Sequence, residues 1–196
     1  MRVKLKRFVS PPTLAIALAF IVAGLGLSSV KGAGSASLTL SPSSGSVLNG
    51  NNITVSVYEN SGAEAVNAVQ VDLSYDAAKL QYVSADISGS PFNVGVSPSG
   101  GSGSVSFSRG LIGSTTGSQL VGRVTFKALA GSGSTAVNFG GGSAIVRLSD
   151  SQNIWNGSTG GGSYSLTSPA TPPPAPTPSP SPTPSPSPSP VSYTHL

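Results

Sequence analysis

The stretch AVNAVQVDLSYDAAKL, residues 65–80, constrains the fold of this chain more than any other segment. Apolar positions alternate along it with mostly polar ones. The apolar set is Val69, Val71, Leu73 and Tyr75, and the positions between them are Ala68, Gln70, Asp72 and Ser74. Successive side chains of a β-strand point to opposite faces, so this period of two predicts a half-buried strand. We expect the first set to face a core and the second set to face outward.

The same period of two recurs along the chain from residue 37 onward. Similar segments are residues 37–42, 52–58, 80–87, 92–96, 104–108, 120–129, 135–139, 144–148 and 163–167. Clusters of Gly, Ser and Pro separate them, and no segment has a convincing amphipathic helical period. About nine short strands at this spacing predict an all-β fold, an antiparallel β-sandwich.

The N-terminal residues 1–36 have the pattern of an export signal. Basic residues precede an apolar run over residues 14–27, and small residues follow it. As a helix, a run of this length spans about 21 Å, which is short of the roughly 30 Å hydrocarbon core of a bilayer. We predict a signal peptide, with an uncleaved N-terminal anchor as the alternative. In both cases the domain, residues 37–168, is expected to be exported and extracellular, either secreted or attached to the cell surface.

Residues 169–190 differ in composition from the domain that precedes them. Proline occupies nearly every second position, which prevents both helix and sheet and predicts extended polyproline II. At about 3.1 Å per residue such a linker reaches roughly 70 Å. The last six residues, 191–196, break the pattern, and we interpret them as a non-domain tail from a truncated or chimeric gene end. Apart from the N-terminal segment, only a missing C-terminal anchor is expected to bring the protein to a membrane.

Charge and residue usage exclude several classes of function. The net charge is +4, but four of the ten basic residues lie within the first seven positions, and the domain itself is close to neutral. Without a basic stripe, nucleic-acid binding is not expected. The chain has no cysteine, and its single histidine, His195, lies in the tail. These absences remove the Ser-His-Asp and Cys-His arrangements and the usual zinc ligand sets. Six carboxylates remain, but Asp72 and Asp76 lie about 13 Å apart if both are in a strand, which is too far for a glycosidase pair. We therefore predict no catalytic residues, no metal and no cofactor, and a hydrolase is the last of the functions considered.

Trp155 is the only tryptophan and lies in the Gly/Asn-rich segment DSQNIWNGSTGG, residues 150–161. An exposed aromatic ring can stack on the face of a sugar, so Trp155 is the candidate carbohydrate-binding residue. The alternative is that its ring packs against the domain or anchors the loop. Phe107, Phe126 and Phe139 lie within alternating strands and are predicted to belong to the core.

Residues 37–167 resemble a cohesin domain, a member of the superfamily shared with cellulose-binding-type carbohydrate-binding modules. The resemblance lies in SLTLSPSSGSV, NGNNITVSVYEN, AVQVDLSYDAAKLQYVSAD and GSQLVGRVTFKALAGSGSTAVNF, and its most specific element is V-x-L-x-Y-D-x-x-x-L, residues 71–80. It implies a nine-stranded jelly roll that binds dockerin modules, commonly in extracellular assemblies for polysaccharide breakdown.

The resemblance also suggests where a partner binds. In the family, the strand that runs into Tyr-Asp presents an Asn and an Asp outward to the dockerin, and these places fall here on Ala68 and Gln70. The side chain of Gln70 can still form hydrogen bonds, whereas that of Ala68 cannot. The outward row of Gln70, Asp72 and Ser74 remains polar, so we expect these three residues to bind a partner. The dockerin specificity of the family is not transferable.

Three functions follow in order. The leading hypothesis is a non-catalytic docking module that binds a dockerin-bearing protein in a polysaccharide-degrading or cell-surface assembly. The second is direct binding of a polysaccharide by the same sandwich. The third is a structural stalk or adhesin domain.

Overall fold

The computed structural model describes residues 34–129 and 131–169. Nearly all of the predicted N-terminal segment and of the proline-rich linker, and the whole tail, lie outside these residues. Twelve strands make up the secondary structure of the described part: β1 (Ser37–Ser41), β2 (Ser44–Leu48), β3 (Asn52–Asn60), β4 (Val66–Tyr75), β5 (Leu80–Asp86), β6 (Val94–Gly95), β7 (Ser99–Gly101), β8 (Ser104–Thr115), β9 (Ser118–Ala128), β10 (Gly133–Phe139), β11 (Ala144–Arg147) and β12 (Gly162–Thr167). None of the residues 34–129 and 131–169 forms a helix long and apolar enough to cross a membrane.

The strands form two sheets. One has four strands in the order β1-β3-β9-β5, and the other has the order β2-β12-β10-β4-β8-β6. In the second sheet β11 also pairs with β4, and β7 also pairs with β8. Strands β4 and β8 are therefore central, with short strands on either side of the pair.

The core lies between the two sheets and follows the alternation of the sequence. Along β4 the side chains of Val69, Val71 and Leu73 are at most 2% exposed. From the other sheet Val55, Val57, Val124 and Phe126 face them and are completely buried. The predicted inward set of β4 and the three predicted core phenylalanines are confirmed.

The sandwich itself is confirmed, whereas the number and direction of the strands differ from expectation. Strand β2 lies in a segment whose sequence predicts a Ser/Pro/Gly turn, and it pairs with β12 in parallel. Strand β7 lies in the Gly/Ser cluster at residues 97–101, and β8 continues seven residues beyond the predicted end at Ser108. These segments are mostly exposed and rich in Gly and Ser, so they carry no apolar alternation, and only their hydrogen bonds to neighbouring strands make them strands.

Candidate functional site

The outward side chains of β4 and β8, with those of the short strands beside them, form one flat surface, which we call the β4–β8 face. Strand pairing aligns them in four rows. The rows are Asn138–Ser74–Ser104, Asp72–Ser106–Ser99, Ala144–Gln70–Ser108 and Val146–Ala68–Gly110–Val94. At the strand spacing and rise of a β-sheet, this area measures about 15 Å by 20 Å.

Asp72 is the only charged side chain in these four rows, and hydrogen bonds fix its position. Ser106 Oγ donates to Asp72 Oδ1 at 2.5 Å, and Gln70 Nε2 donates to Asp72 Oδ2 at 3.3 Å. The backbone N–H of Asp72 donates to the Ser143 hydroxyl, which in turn donates to the Asp72 carbonyl. The carboxylate is therefore oriented before any partner arrives, and its partly exposed oxygens still have capacity to accept hydrogen bonds.

The turn between β10 and β11 supports the carboxylate from the side. Gly140 N–H donates to the Asp72 carbonyl at 2.7 Å, and Ser143 in the same turn is buried. Gly142 passes so close that a Cβ there would overlap Asp72 Oδ2. Glycine at position 142 is thus required for the observed position of the Asp72 side chain.

The face changes in character along its length. The rows of Ser74, Asp72 and Gln70 are dominated by hydroxyl, amide and carboxylate groups. The row of Ala68 is apolar, because Val146, Gly110 and Val94 are its cross-strand partners. Beyond this row, Ile112 in the last part of β8 is 88% exposed. No local pattern in the sequence predicts this apolar part, since its members come from four different strands.

Arg109 holds the edge of the face in place. Its side chain points inward from β8 and is 5% exposed. Its Nε donates to the Phe92 carbonyl at 3.1 Å and its Nη1 to the Val96 carbonyl at 3.4 Å. Burial lowers the pKa of the Arg109 guanidinium from its usual value. The two hydrogen bonds tie β6 and its flanking loop to β8.

A second cationic group lies at the end of β11, next to the apolar row. Arg147 Nη2 pairs with Asp150 at 2.6 Å, and Arg147 Nη1 pairs with Glu64 at 3.4 Å. The hydrogen bond to Arg147 lowers the pKa of Asp150. This charge is therefore compensated within the domain.

The three residues predicted to bind a partner come together as expected on one face. Gln70 and Asp72 are half-buried and Ser74 is exposed, and all three lie in neighbouring rows with the serines of β8. Trp155 is placed differently, because its side chain is only 7% exposed. It packs beside the N-terminal strand, where residues 36 and 155 form a parallel bridge. This burial agrees with the alternative that the ring packs against the domain, and it gives no support to Trp155 as an exposed sugar-binding residue.

The described residues show no cluster of three or more His, Cys, Asp or Glu side chains that could hold a metal ion. The β4–β8 face offers one carboxylate, several hydroxyls and an apolar strip on a nearly flat sheet. Such an arrangement is suited to recognition of another macromolecule rather than to enclosing a small molecule.

Comparison with known proteins agrees with this interpretation of the fold. The family model described as "Cohesin domain" matches residues 37–154. No curated protein gives a significant match.

Among solved structures, the solution structure of CaCohA2 from Clostridium acetobutylicum is similar, with a TM-score of 0.56 and 15% identity over 68% of this chain and 92% of that chain. A type I cohesin–dockerin complex from Clostridium thermocellum has a TM-score of 0.53 and 9% identity, covering 68% of this chain and 99% of that chain. A non-cellulosomal cohesin from the archaeon Archaeoglobus fulgidus has a TM-score of 0.50 and 15% identity, with coverages of 69% and 91%. At these identities the structures establish the fold alone.

Proposed function

Since this chain belongs to the cohesin family, we propose that it is a non-catalytic, extracellular docking module that binds a dockerin-bearing protein through the β4–β8 face. The observation that carries the proposal is the oriented Asp72 carboxylate at the centre of a flat, otherwise uncharged face. Dockerin appears as the partner in the similar complex from Clostridium thermocellum.

The dimensions of the face support this role. A stable protein–protein interface buries about 800 Å² on each partner. The four rows supply a central patch for such an interface, with an apolar strip at one end and a hydrogen-bonding group at the other. Protein–protein interfaces combine apolar contacts with about ten direct hydrogen bonds, and both kinds of group are present on this face.

The partner of this chain is expected to differ from those of cohesins that carry Asn and Asp at the places of Ala68 and Gln70. Here the carboxylate stands two residues further along the strand, at Asp72, and Gln70 donates to it. A dockerin that binds this chain therefore has its donor group opposite Asp72 and an apolar group opposite Ala68.

Titration calorimetry of the purified chain against dockerin-bearing proteins of the same organism tests the proposal. We expect at least one to bind, and absence of binding at high micromolar concentration for all of them would contradict it. Ser106→Trp places a large ring at the centre of the face and should abolish binding. Thr39→Trp is the matched control, because Thr39 is exposed on β1 of the other sheet. Equal loss of binding in both variants would argue against the face.

Export and display on a stalk are part of the proposal. The apolar run at residues 14–27 and the proline-rich segment at residues 169–190 support them. N-terminal sequencing of the protein recovered from culture medium or cell surface provides the test. We expect the chain to begin between residues 33 and 37, or to retain residue 1 if the segment serves as an anchor. Recovery in the cytoplasm alone would contradict export.

We propose that this module works within a polysaccharide-degrading assembly by docking a protein partner. The alternative is that it binds the polysaccharide directly. The burial of Trp155 supports docking over direct sugar binding, since sugar binding favours an exposed aromatic ring. Affinity electrophoresis in soluble polysaccharides distinguishes the two functions, and we expect no retardation of this chain.

A further inference from the structure

A groove lies between the edges of the two sheets, apart from the four rows of the β4–β8 face. It runs between β5, an edge strand of the four-stranded sheet, and β7, which pairs only with β8 in the other sheet. Its volume is about 560 Å³, and Tyr75, Leu80, Tyr82, Gly100, Ser102 and Leu129 are among the residues that line it. We call it the β5–β7 groove.

The lining of the groove combines two tyrosine rings and aliphatic side chains with the polar Gln81 and Ser102, and it carries no charged residue. The half-buried ring of Tyr82 lies flat against Gly100, where an added Cβ would come within 2.8 Å of the ring. Leu129 forms the other end and is 46% exposed. An uncharged groove of this kind, with tyrosine rings and small residues, matches the sites that receive polyproline II segments in other domains.

The chain leaves the folded domain beside this groove. Asn49 N–H donates to the Thr167 carbonyl at 2.9 Å, and Ser168 Oγ donates to the Gly131 carbonyl at 2.5 Å. Gly131 is only two residues from Leu129, a separation of about 7 Å along an extended chain. Residues after Ser168 therefore start at the Leu129 end of the groove.

We propose that the β5–β7 groove binds the chain's own proline-rich segment, residues 171–176 (TPPPAP), and so fixes the direction in which the linker leaves the domain. This inference goes beyond the proposed function, since it concerns neither the partner nor the β4–β8 face. Residues 169–171 span at most about 11 Å, which suffices to reach the groove from Ser168. Residues 171–176 are the first three-proline run after the domain and carry no charge.

Tethering makes even a weak contact effective. A short linker gives its segment an effective concentration of roughly 1 mM, so a Kd of about 1 mM leaves about half of the molecules docked. Prolines lose little conformational freedom on binding, because their φ is already fixed. Proline carbonyls accept hydrogen bonds, and Gln81 and Ser102 in the groove can donate them.

A spin label on the linker of the full chain tests the proposal. The chain has no cysteine, so Thr177→Cys provides a unique attachment site directly after the docked segment. With the nitroxide oxidised, the amide signals of Gly100 and Gln81 should lose most of their intensity relative to the sample with the nitroxide reduced. Gly133 is the internal control, because it pairs with Leu166 close to the point where the chain leaves the domain. A linker that is not docked should broaden Gly133 at least as strongly as the groove residues. If Gly133 is broadened as strongly as Gly100, the proposal is overturned.

Variants of the groove make the result specific. In Tyr82→Ala the broadening at Gly100 should fall to the level at Gly133, whereas Tyr82→Phe, which keeps the ring, should preserve most of it. Leu129→Ser serves as a second disruption if Tyr82→Ala fails to fold. Broadening that persists in both disrupted variants refutes the groove as the site.

The docked linker could belong to the same chain or to a second copy. To separate these cases, isotope-labelled chain without a nitroxide is mixed with nitroxide-labelled chain that carries no isotope label. Broadening within one chain supports the proposal. Broadening that appears only between chains and grows with concentration assigns the groove to the linker of a second copy and overturns it.

Discussion

Glu59 on β3 carries a buried carboxyl group that has no hydrogen-bond partner in the described part of the chain, and this makes the stability of the domain depend on pH. Its side chain is 0% exposed, between Leu38 of β1 and Gln119 of β9 in the register of the sheet. Neither carboxylate oxygen has a hydrogen-bond partner among the described residues, because the Ser61 hydroxyl donates to the Gly117 carbonyl instead. Burial raises the pKa of Glu59 from 4.5 to about 7, and the nearby Ser61 hydroxyl opposes this with a smaller effect.

The raised pKa determines the direction of the pH dependence. Between pH 4.5 and about pH 7 the folded protein keeps a proton on Glu59 that the unfolded chain releases. The stabilisation is fully present below pH 4.5 and is lost as the pH rises through about 7. Since each pKa unit corresponds to about 1.4 kcal/mol, the free energy of unfolding falls by roughly 3 kcal/mol across this window.

Urea denaturation of the wild type and Glu59→Gln, at a series of pH values from acidic to mildly alkaline, measures this effect. Glutamine has nearly the same shape and does not titrate, so the difference between the two proteins isolates the carboxyl group. The variant should gain roughly 3 kcal/mol relative to the wild type between low and high pH, whatever its stability at the acidic end.

Glu64→Gln is the matched control, because Glu64 is 41% exposed and pairs with Arg147 at 3.4 Å. Loss of an exposed ion pair of this kind changes the free energy of unfolding by less than about 1 kcal/mol. A difference between the wild type and Glu59→Gln that stays constant over the whole pH range would refute the reasoning, since it would mean that Glu59 titrates alike in the folded and unfolded states.

Three further predictions concern single contacts. Gly142→Ala should displace the Asp72 carboxylate and weaken dockerin binding about tenfold, or about 1.4 kcal/mol, as measured by calorimetry. Arg109→Met should lower the free energy of unfolding by about 3 kcal/mol in urea and speed amide exchange around β6, because two carbonyls lose a charged donor. Tyr164→Phe should cost about 1 kcal/mol in the same assay, since the buried hydroxyl no longer donates to the Pro42 carbonyl at 2.7 Å.

The fold was predictable where burial on one face leaves a period of two in the sequence. Strands β3, β4 and β9 have this pattern, and the alternation selects most of their buried residues. The charged Glu59 of β3 and Gly122 of β9 are buried as well, and the apolar pattern does not select them. Strands β2 and β7 have almost no buried side chains. Their backbone hydrogen bonds to β12 and β8 are long-range, so no local pattern identifies them.

Trp155 illustrates a second limit of local reasoning. The loop around it is rich in Gly, Asn and Ser, which favours exposure, yet Ile154 and Trp155 are both buried. The backbone explains this placement, because Ala36 N–H donates to the Ile154 carbonyl at 3.0 Å and Asn156 N–H donates to the Ala36 carbonyl at 2.8 Å. The loop is held by the N-terminal strand, more than a hundred residues away in the chain.

The candidate site lies between these two cases. Alternation along β4 determines that Ala68, Gln70 and Asp72 point outward, and it says nothing of their neighbours on other strands. The pairing of neighbouring strands places Ser106 beside Asp72 and Val146 beside Ala68. The face is thereby divided into a hydrogen-bonding part and an apolar part. Four residues of β-strand separate the two centres by about 13 Å. A partner that uses both must therefore carry a donor group and an apolar group at this separation, which is a condition on its surface that the sequence of β4 alone does not contain.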